Sequence, residues 1–352
     1  MRVRSLPGHQ VGALSAAASR SAGAALRRFR RALASHAEAP PLDGDGPLAV
    51  AFSGGADSTA LLLAARRLWP VRALFALHVH HGLQAAADDF AGHAQAHCAR
   101  WGIDCRVLPV HVPLAAGDSV EEQARLARHA RLQREARALG CEWLLLAHHA
   151  DDQAESLLLA LLRGAGPAGL AAMPPVVRRA GVWVGRPLLD CPGPALRAEL
   201  DAAGVDYVRD PMNTDPAWRR SRIRHELLPV IERLEPGWRQ TLGRSAALCA
   251  QGTQQLRRQA AEDLRRCRGE AGLRLQALAE LAPARRAEVL RAWLLELGLR
   301  SNAAQIDNLC RQLDAAAHRP VQAGIGAARL WRDAGWLRCQ LPADLRRPPR
   351  SL

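Results

Sequence analysis

Short apolar runs alternate with amphipathic stretches through the first part of the chain. Leu48–Phe52 is an apolar run of strand length, and Thr59–Ala65 follows with helical spacing. Val71–Val79 predicts a second strand, about 86–101 a helix, and Cys105–Val110 a third strand. Ser119-Val120-Glu121-Glu122 is a capping box that opens a long helix. Trp143–Ala147 predicts a fourth strand, with a helix behind it to about Leu162. This alternation is that of a parallel sheet with crossover helices, a Rossmann-like α/β domain. Upstream, Leu26, Phe29 and Leu33 recur at helical spacing between arginines and predict a lead-in helix, although the Arg- and Ser-rich start has the composition of a transit peptide. Downstream, Met173–Pro194 is rich in Pro and Gly. Within it Arg186–Leu189 is expected as a short strand, and Pro194–Ala203 as a short helix.

The stretch Arg209–Pro216 is dense in turn formers and marks a domain boundary. Helical patterns follow over about 218–234, 239–268, 283–297 and 302–317, then a hairpin turning at Arg332–Gly335. The expected organisation is an Arg-rich extension over 1–45, a catalytic α/β domain over 46–215, a mainly helical domain over 216–342, and a frayed tail over 343–352.

Charge adds a partner class to this picture. The net charge is +14, and all 48 basic residues are arginine. Residues 46–215 carry a net −2 and residues 216–352 a net +12. A strongly basic C-terminal part suits a polyanion. A lysine-free, Ala- and Arg-rich composition also follows from GC-rich coding, which does not account for the uneven distribution. The 8 cysteines are scattered without a C-x-x-C pair, so zinc ribbons and dithiol redox sites are unsupported and a reducing cytoplasm is expected. No apolar run is long enough and free enough of charge to span a membrane.

The candidate chemistry lies just after the predicted strands, where ligands of such sheets bind. Ser53-Gly54-Gly55-Ala56-Asp57-Ser58 turns from strand to helix. Two glycines allow close backbone approach, and a helix N-terminus favours phosphate. Asp57 would repel phosphate unless a cation such as Mg²⁺ lies between them; the alternative is an ordinary capped turn. A lysine-containing phosphate loop is excluded, because the chain has no lysine. At the fourth strand end stand His148, Asp151, Asp152 and Glu155. Asp152 and Glu155 share a helix face and could hold Mg²⁺ or a cationic amine, or could serve only as helix capping.

These motifs carry a resemblance. Ser-Gly-Gly-Ala-Asp-Ser resembles the loop of the ATP pyrophosphatases (PP-loop enzymes), which cut ATP between the α and β phosphates. With His78–Leu83, Ala147–Glu155, Arg163–Leu170, Arg209-Asp210-Pro211 and Arg220–Arg224, about 45–340 of the chain resembles the tRNA(Ile)-lysidine synthetases. The resemblance implies ATP-dependent ligation of free L-lysine to C2 of the wobble cytidine in the CAU-anticodon isoleucine tRNA. The cytidine O2 would attack the α-phosphate, releasing pyrophosphate, and the lysine ε-amine would displace AMP. It further implies that Ser53, Gly54, Gly55, Ala56, Asp57 and Ser58 bind ATP, with Asp57 placing Mg²⁺. Asp152 and Glu155 would hold the lysine ammonium, with His148 beside the base or ATP. Arg125 and Arg128 would face phosphates or substrate, the alternative being a solvated helix face, and Arg220, Arg222 and Arg224 would face the tRNA.

The chain departs from the family pattern at Ser221 (usually Asn), at His129 (usually Tyr) and at His80-His81 (usually Asp-His or Asn-His). Longer members carry a further tRNA-binding domain, so reading of the acceptor stem is expected to be weaker here or to fall on the helical domain. A homodimer is compatible with the sequence. The nearest alternative is a PP-loop tRNA thiolase acting on cytidine or uridine, which usually needs paired cysteines. Ammonia-dependent synthetases and a non-catalytic RNA-binding module leave the basic half or the paired motifs unexplained.

Overall fold

The computed structural model describes residues 19–34, 36, 38–80, 87–110, 120–209, 219–315, 321–326 and 328–341. The expected capping-box residue Ser119, the turn-rich stretch 210–216, the start at 1–18 and the tail from Asp344 lie outside the described residues. The chain forms two compact units, Met1–Cys249 and Ala250–Leu352.

The first unit opens with α1 (Arg20–Leu33), the lead-in helix, and continues through β1 (Leu48–Ala51), α2 (Ala56–Leu68), β2 (Leu74–His80), α3 (Ala87–Arg100), β3 (Asp104–Pro109), α4 (Val120–Ala138), β4 (Trp143–Leu145) and α5 (Ala150–Leu161). A short α6 (Pro167–Leu170), the strands β5 (Val176–Arg179) and β6 (Val182–Gly185), and α7 (Gly193–Ala202) complete the α/β layer. The strand order is β3-β2-β1-β4-β6-β5, parallel except for the β5–β6 pair.

Both faces of this sheet are covered, which is why its strands read as unbroken apolar runs. Leu48, Val50, Trp143 and Leu145 point to the face packed by α1, α2 and α7, through Leu26, Phe29, Leu62 and Leu196. Ala49, Leu144 and Leu146 point to the opposite face, against Leu132 and Ala136 of α4. Phe29 meets Trp143 edge-on at 6.1 Å. Gly185 makes room for this packing, since a Cβ there would lie 2.9 Å from both Leu145 and Phe29.

The strand expected at Arg186–Leu189 is not formed. The pairing strands are β5 and β6, joined by Ala180 and Gly181 at φ 50° and 82°, and Arg186 N donates to Pro175 O. Pro187 then has no N–H to offer a ladder, and the chain turns, with Cys191 N donating to Leu188 O.

From residue 219 onward come α8 (Arg219–Arg222), a π-helical turn (Ile223–Leu227), α9 (Leu228–Leu234) and the start of α10 (Trp238–Cys267). Ile223, Leu228 and Trp238 pack on Ala154 and Leu159 of α5, so this helical segment belongs to the first unit. The division between units falls within α10, beyond the boundary read near Pro216.

The second unit combines helices with a five-stranded antiparallel sheet. Its strands are β7 (Arg268–Gly269), β8 (Gly272–Arg274), β9 (Gln322–Ile325), β10 (Ala328–Asp333) and β11 (Trp336–Gln340), in the order β7-β8-β11-β10-β9. The helices are α11 (Leu275–Ala279), α12 (Pro283–Glu296) and α13 (Ala303–Asp314). Leu273, Leu290, Trp293, Ile306, Leu330 and Leu337 form its core. The β10–β11 hairpin turns at Ala334 and Gly335, both with positive φ, as its sequence predicts. The other three strands are too short to give a period of their own.

Candidate active site

The carboxyl ends of β1, β4 and β6 meet along one edge of the sheet, and each delivers one part of the site. Beyond β1 the chain turns through Ser53-Gly54-Gly55 into α2. Gly54 has φ 84°, a left-handed conformation natural to glycine, and its carbonyl accepts from Val208 N at 2.9 Å. Ser58 Oγ braces the loop, donating to Gly55 O at 2.9 Å and accepting from Ser53 N at 3.2 Å. The first-turn N–H groups of α2, Ala56 and Asp57 among them, have no intrahelical acceptor and form an anion-favouring end.

Beyond β4 comes an ionic hub that the sequence reading passed over. His149 precedes α5, and its imidazole is buried among three carboxylates. Nε2 lies 3.5 Å from Asp57 Oδ2 and 3.6 Å from Asp152 Oδ2, and Nδ1 lies 3.4 Å from Asp151 Oδ2. Burial opposes protonation, but Asp152, Asp151 and Asp57 outweigh it and push His149 up to about 10. His149 is therefore a cation at neutral pH, tying the phosphate loop to α5. Gly193 lets this ring pack closely, since a Cβ there would come 2.9 Å from His149 Cε1.

The carboxylates of the motif divide their tasks. Asp151 accepts from Gly193 N at 2.8 Å and from Arg239 Nε at 3.0 Å. Burial alone would raise it, but these donors and His149 hold it below the usual carboxylate range. Asp151 thus fastens α7 and α10 to the site. Asp152 accepts from His149 N at 3.0 Å and from Arg224 Nη2 at 3.2 Å, and despite burial it is held low by His149, His148 and Arg224. Glu155 is fully buried, and its Oε1 accepts from Arg224 Nε at 2.6 Å. Burial pushes Glu155 up in spite of Arg224, and Oε2 has no hydrogen-bond partner among the described residues. Asp152 and Glu155 therefore form a paired carboxylate seat with a cation already in it.

A cationic rim adjoins this seat. His148 and His129 lie near-parallel with centroids 6.4 Å apart. Burial lowers His148 to about 4, with Arg186, Arg128 and Arg220 reinforcing it against Asp152, and lowers His129 to about 3 with help from Arg128 and Arg125. Both rings are neutral at physiological pH. Arg220 Nη2 donates to Ser156 Oγ at 3.0 Å.

The structure thus brings together Ser53, Gly54, Gly55, Ala56, Asp57, Ser58, His148, Asp152, Glu155 and Arg224, with Arg128 and Arg220 beside them. Arg125 lies exposed on α4. Arg222 does not join the cluster: it is exposed and faces Glu226 at 3.3 Å. His149, Asp151, Arg239 and Arg186 are the residues that motif reading left without roles. Only the doubled His-His and Asp-Asp of the motif signalled two of them.

The donor set bears on a metal. Among the described residues no group of three or more His, Cys, Asp or Glu side chains is arranged to hold one. Asp57 Oδ1, however, is buried without a hydrogen-bond partner among the described residues, next to the phosphate-favouring helix end. One carboxylate completed by phosphate oxygens and water is the usual environment of Mg²⁺, so the residues fit that ion in the company of a nucleotide.

Comparison with known proteins places the chain in a family. The PP-loop domain family matches residues 26–231, and the TilS substrate binding domain family matches 273–338. A tRNA(Ile)-lysidine synthase of Polaromonas naphthalenivorans is 45% identical over 279 residues, covering 79% of this chain and 84% of its own. One of Chromobacterium violaceum is 45% identical over 253 residues, covering 71% of this chain and 57% of its own, so the chain spans little more than half of that longer relative. Among solved structures, a U34-tRNA thiolase from Methanococcus maripaludis superposes with a TM-score of 0.53 at 17% identity, over 63% of this chain and 78% of its own, a likeness of fold. The chain is an enzyme of the tRNA(Ile)-lysidine synthase family, a ligase that forms a carbon–nitrogen bond.

Proposed function

We propose that the chain ligates free L-lysine to C2 of the wobble cytidine in the CAU-anticodon isoleucine tRNA, using ATP and releasing AMP and pyrophosphate. The observation that carries this reading is a carboxylate pair, half-buried Asp152 and buried Glu155, both on Arg224, with Asp152 linked through His149 to Asp57 of the phosphate loop by contacts of 3.6 and 3.5 Å. A cation-binding seat and a phosphate-binding loop on one ionic hub suit the joining of an amine to an ATP-activated oxygen.

In the first step, the cytidine O2 attacks the α-phosphate and the bond to pyrophosphate breaks. The α2 N-terminus and the Ser53–Ser58 backbone bind the departing pyrophosphate, and His149 adds positive charge behind Asp57. Mg²⁺, when bound by Asp57 and phosphate oxygens, neutralises phosphate charge. In the second step, the lysine ε-amine attacks C2 and the bond to AMP breaks. Asp152 and Glu155 orient the ammonium. Glu155, raised by burial and with Oε2 unpartnered, accepts the proton the amine must lose. Neutral His148 lies beside the base and accepts a hydrogen bond there.

The eight free cysteines suit the cytoplasm, and the sequence has no C-x-x-C pair for the thiolase alternative. The test is incorporation of labelled lysine into a CAU-anticodon isoleucine tRNA transcript with ATP. Wild type is expected to label it and D57A to lose labelling by at least about a hundredfold, on the scale of losing a main electrostatic stabiliser. No labelling by wild type, or undiminished labelling by D57A, would overturn the reading.

A further inference from the structure

The steps above leave one half-buried cation, Arg186, without a task. Arg186 follows β6 directly, and its Nη1 donates to Pro174 O at 2.8 Å. Its Nε is buried, with no acceptor among the described residues. Burial lowers its affinity for the proton, and the nearest charges acting on it, Arg179 and Arg125, lower it further, to about 10. Arg128 is in the same position: burial, Arg125 and Arg220 all work against its charge, and Asp152 is the acidic group that opposes them. Asp152 is already engaged by Arg224 and by His149 N. Among the described residues no carboxylate other than the engaged Asp152 acts on Arg186 or Arg128, and guanidinium nitrogens desolvated in this way are costly unless an anion completes them.

Position narrows the choice of anion. β6 lies two strands from β1 in the sheet, with β4 between them, so Arg186 is about 10 Å from the phosphate loop at the ordinary strand spacing. The Ser53–Ser58 loop follows β1, on the far side of the His149 hub that follows β4. On the near side are two flat neutral rings, His129 and His148, and the arginines. Flat uncharged rings beside guanidinium groups suit a nucleotide of a single-stranded RNA segment.

We propose that Arg186, together with Arg125, Arg128 and Arg220, binds a backbone phosphate of the RNA strand next to the nucleotide being modified, an assignment that rests on the function proposed above. The Nε–H donates to the phosphate, and Pro174 O holds the group in place through Nη1. Arg186 is then an RNA-positioning residue.

The test uses the full chain with R186Q and R186K. R178Q serves as a charge-matched control, because Arg178 is exposed on the same hairpin, over the Trp183 ring at 5.7 Å. tRNA affinity is measured by filter binding across a salt series, and KM for ATP separately. R186Q is expected to lose tRNA affinity at least about tenfold and to make the log–log salt slope shallower by about one. ATP KM should stay within about twofold, R186K should recover most of the slope, and R178Q should match wild type. Wild-type affinity and slope in R186Q would overturn the assignment. So would R186K as defective as R186Q with the same drop in melting temperature, which would make Arg186 a structural brace. A raised ATP KM with unchanged tRNA binding would move the phosphate from RNA to nucleotide and overturn the RNA assignment. Binding is read without lysine transfer, so failure of wild type to form lysidine refutes the functional reading separately.

Discussion

Glu155→Gln isolates the electrostatic part of the proposed amine seat. The substitution keeps the shape and one acceptor for Arg224 Nε, which now lies 2.6 Å from Oε1, and removes the negative charge. An ion pair at about 4 Å is worth roughly 4 kcal/mol at an effective dielectric of 20, before the cost of desolvation is subtracted. Asp152 remains at 3.2 Å to balance Arg224, so the fold should survive with a loss of about 1–3 kcal/mol. Lysine loses one of two carboxylates. A hydrogen bond to a charged group contributes about 1.5–3 kcal/mol, and about 1.4 kcal/mol is tenfold, so KM for lysine should rise roughly 10- to 150-fold. The assay follows labelled lysine entering the tRNA transcript over a lysine series, with ATP-dependent adenylation of the transcript measured in the absence of lysine. Adenylation should remain within about threefold of wild type. An unchanged lysine KM, or adenylation falling as far as lysine transfer, would refute the claim that Glu155 serves the amine.

Two further outcomes follow from the hub and the loop. His149 is raised from 6.5 to about 10 in the folded chain, so its stabilisation is complete below about pH 6.5 and is lost as pH rises through about 10; wild-type melting temperature should fall across pH 7–10 more steeply than that of H149Q, and parallel curves would count against a charged His149. Gly54→Ala places a Cβ at φ 84°, 3.2 Å from Val208 Cγ2, a strain of about 1–2 kcal/mol, and should raise ATP KM at least about tenfold with near-native circular dichroism, whereas an unchanged KM would remove the loop backbone from ATP binding.

Local patterns sufficed for much of this protein. The apolar runs that became β1, β2 and β4, the glycine turn after Phe52 and the one-face spacing of Asp152 and Glu155 depend on neighbours within a few residues, and such order is written in sequence. The same holds for α1, whose Leu26, Phe29 and Leu33 recur at helical period and pack into the sheet's core. The short strands β5 to β9 were not legible, because two to four residues cannot show a period. Arg186–Leu189 looked like a strand by composition, but pairing in the β5–β6 hairpin and the missing N–H of Pro187 decided otherwise.

Which charges matter was decided by tertiary packing. Asp151 and Asp152 are adjacent and chemically identical, yet one meets Gly193 and Arg239 and the other meets Arg224. Those partners lie far along the chain, and burial together with partner choice sets each pKa. The arginine excess of the C-terminal part also divides in three dimensions. Arg286 is buried, donating to Leu278 O and pairing with Asp314, and Arg285 grips Asp263 at 2.8 and 2.5 Å, so these two brace the second unit's fold. Sequence counts a charge wherever it occurs, but only packing determines whether it is neutralised within the chain or left to meet a phosphate.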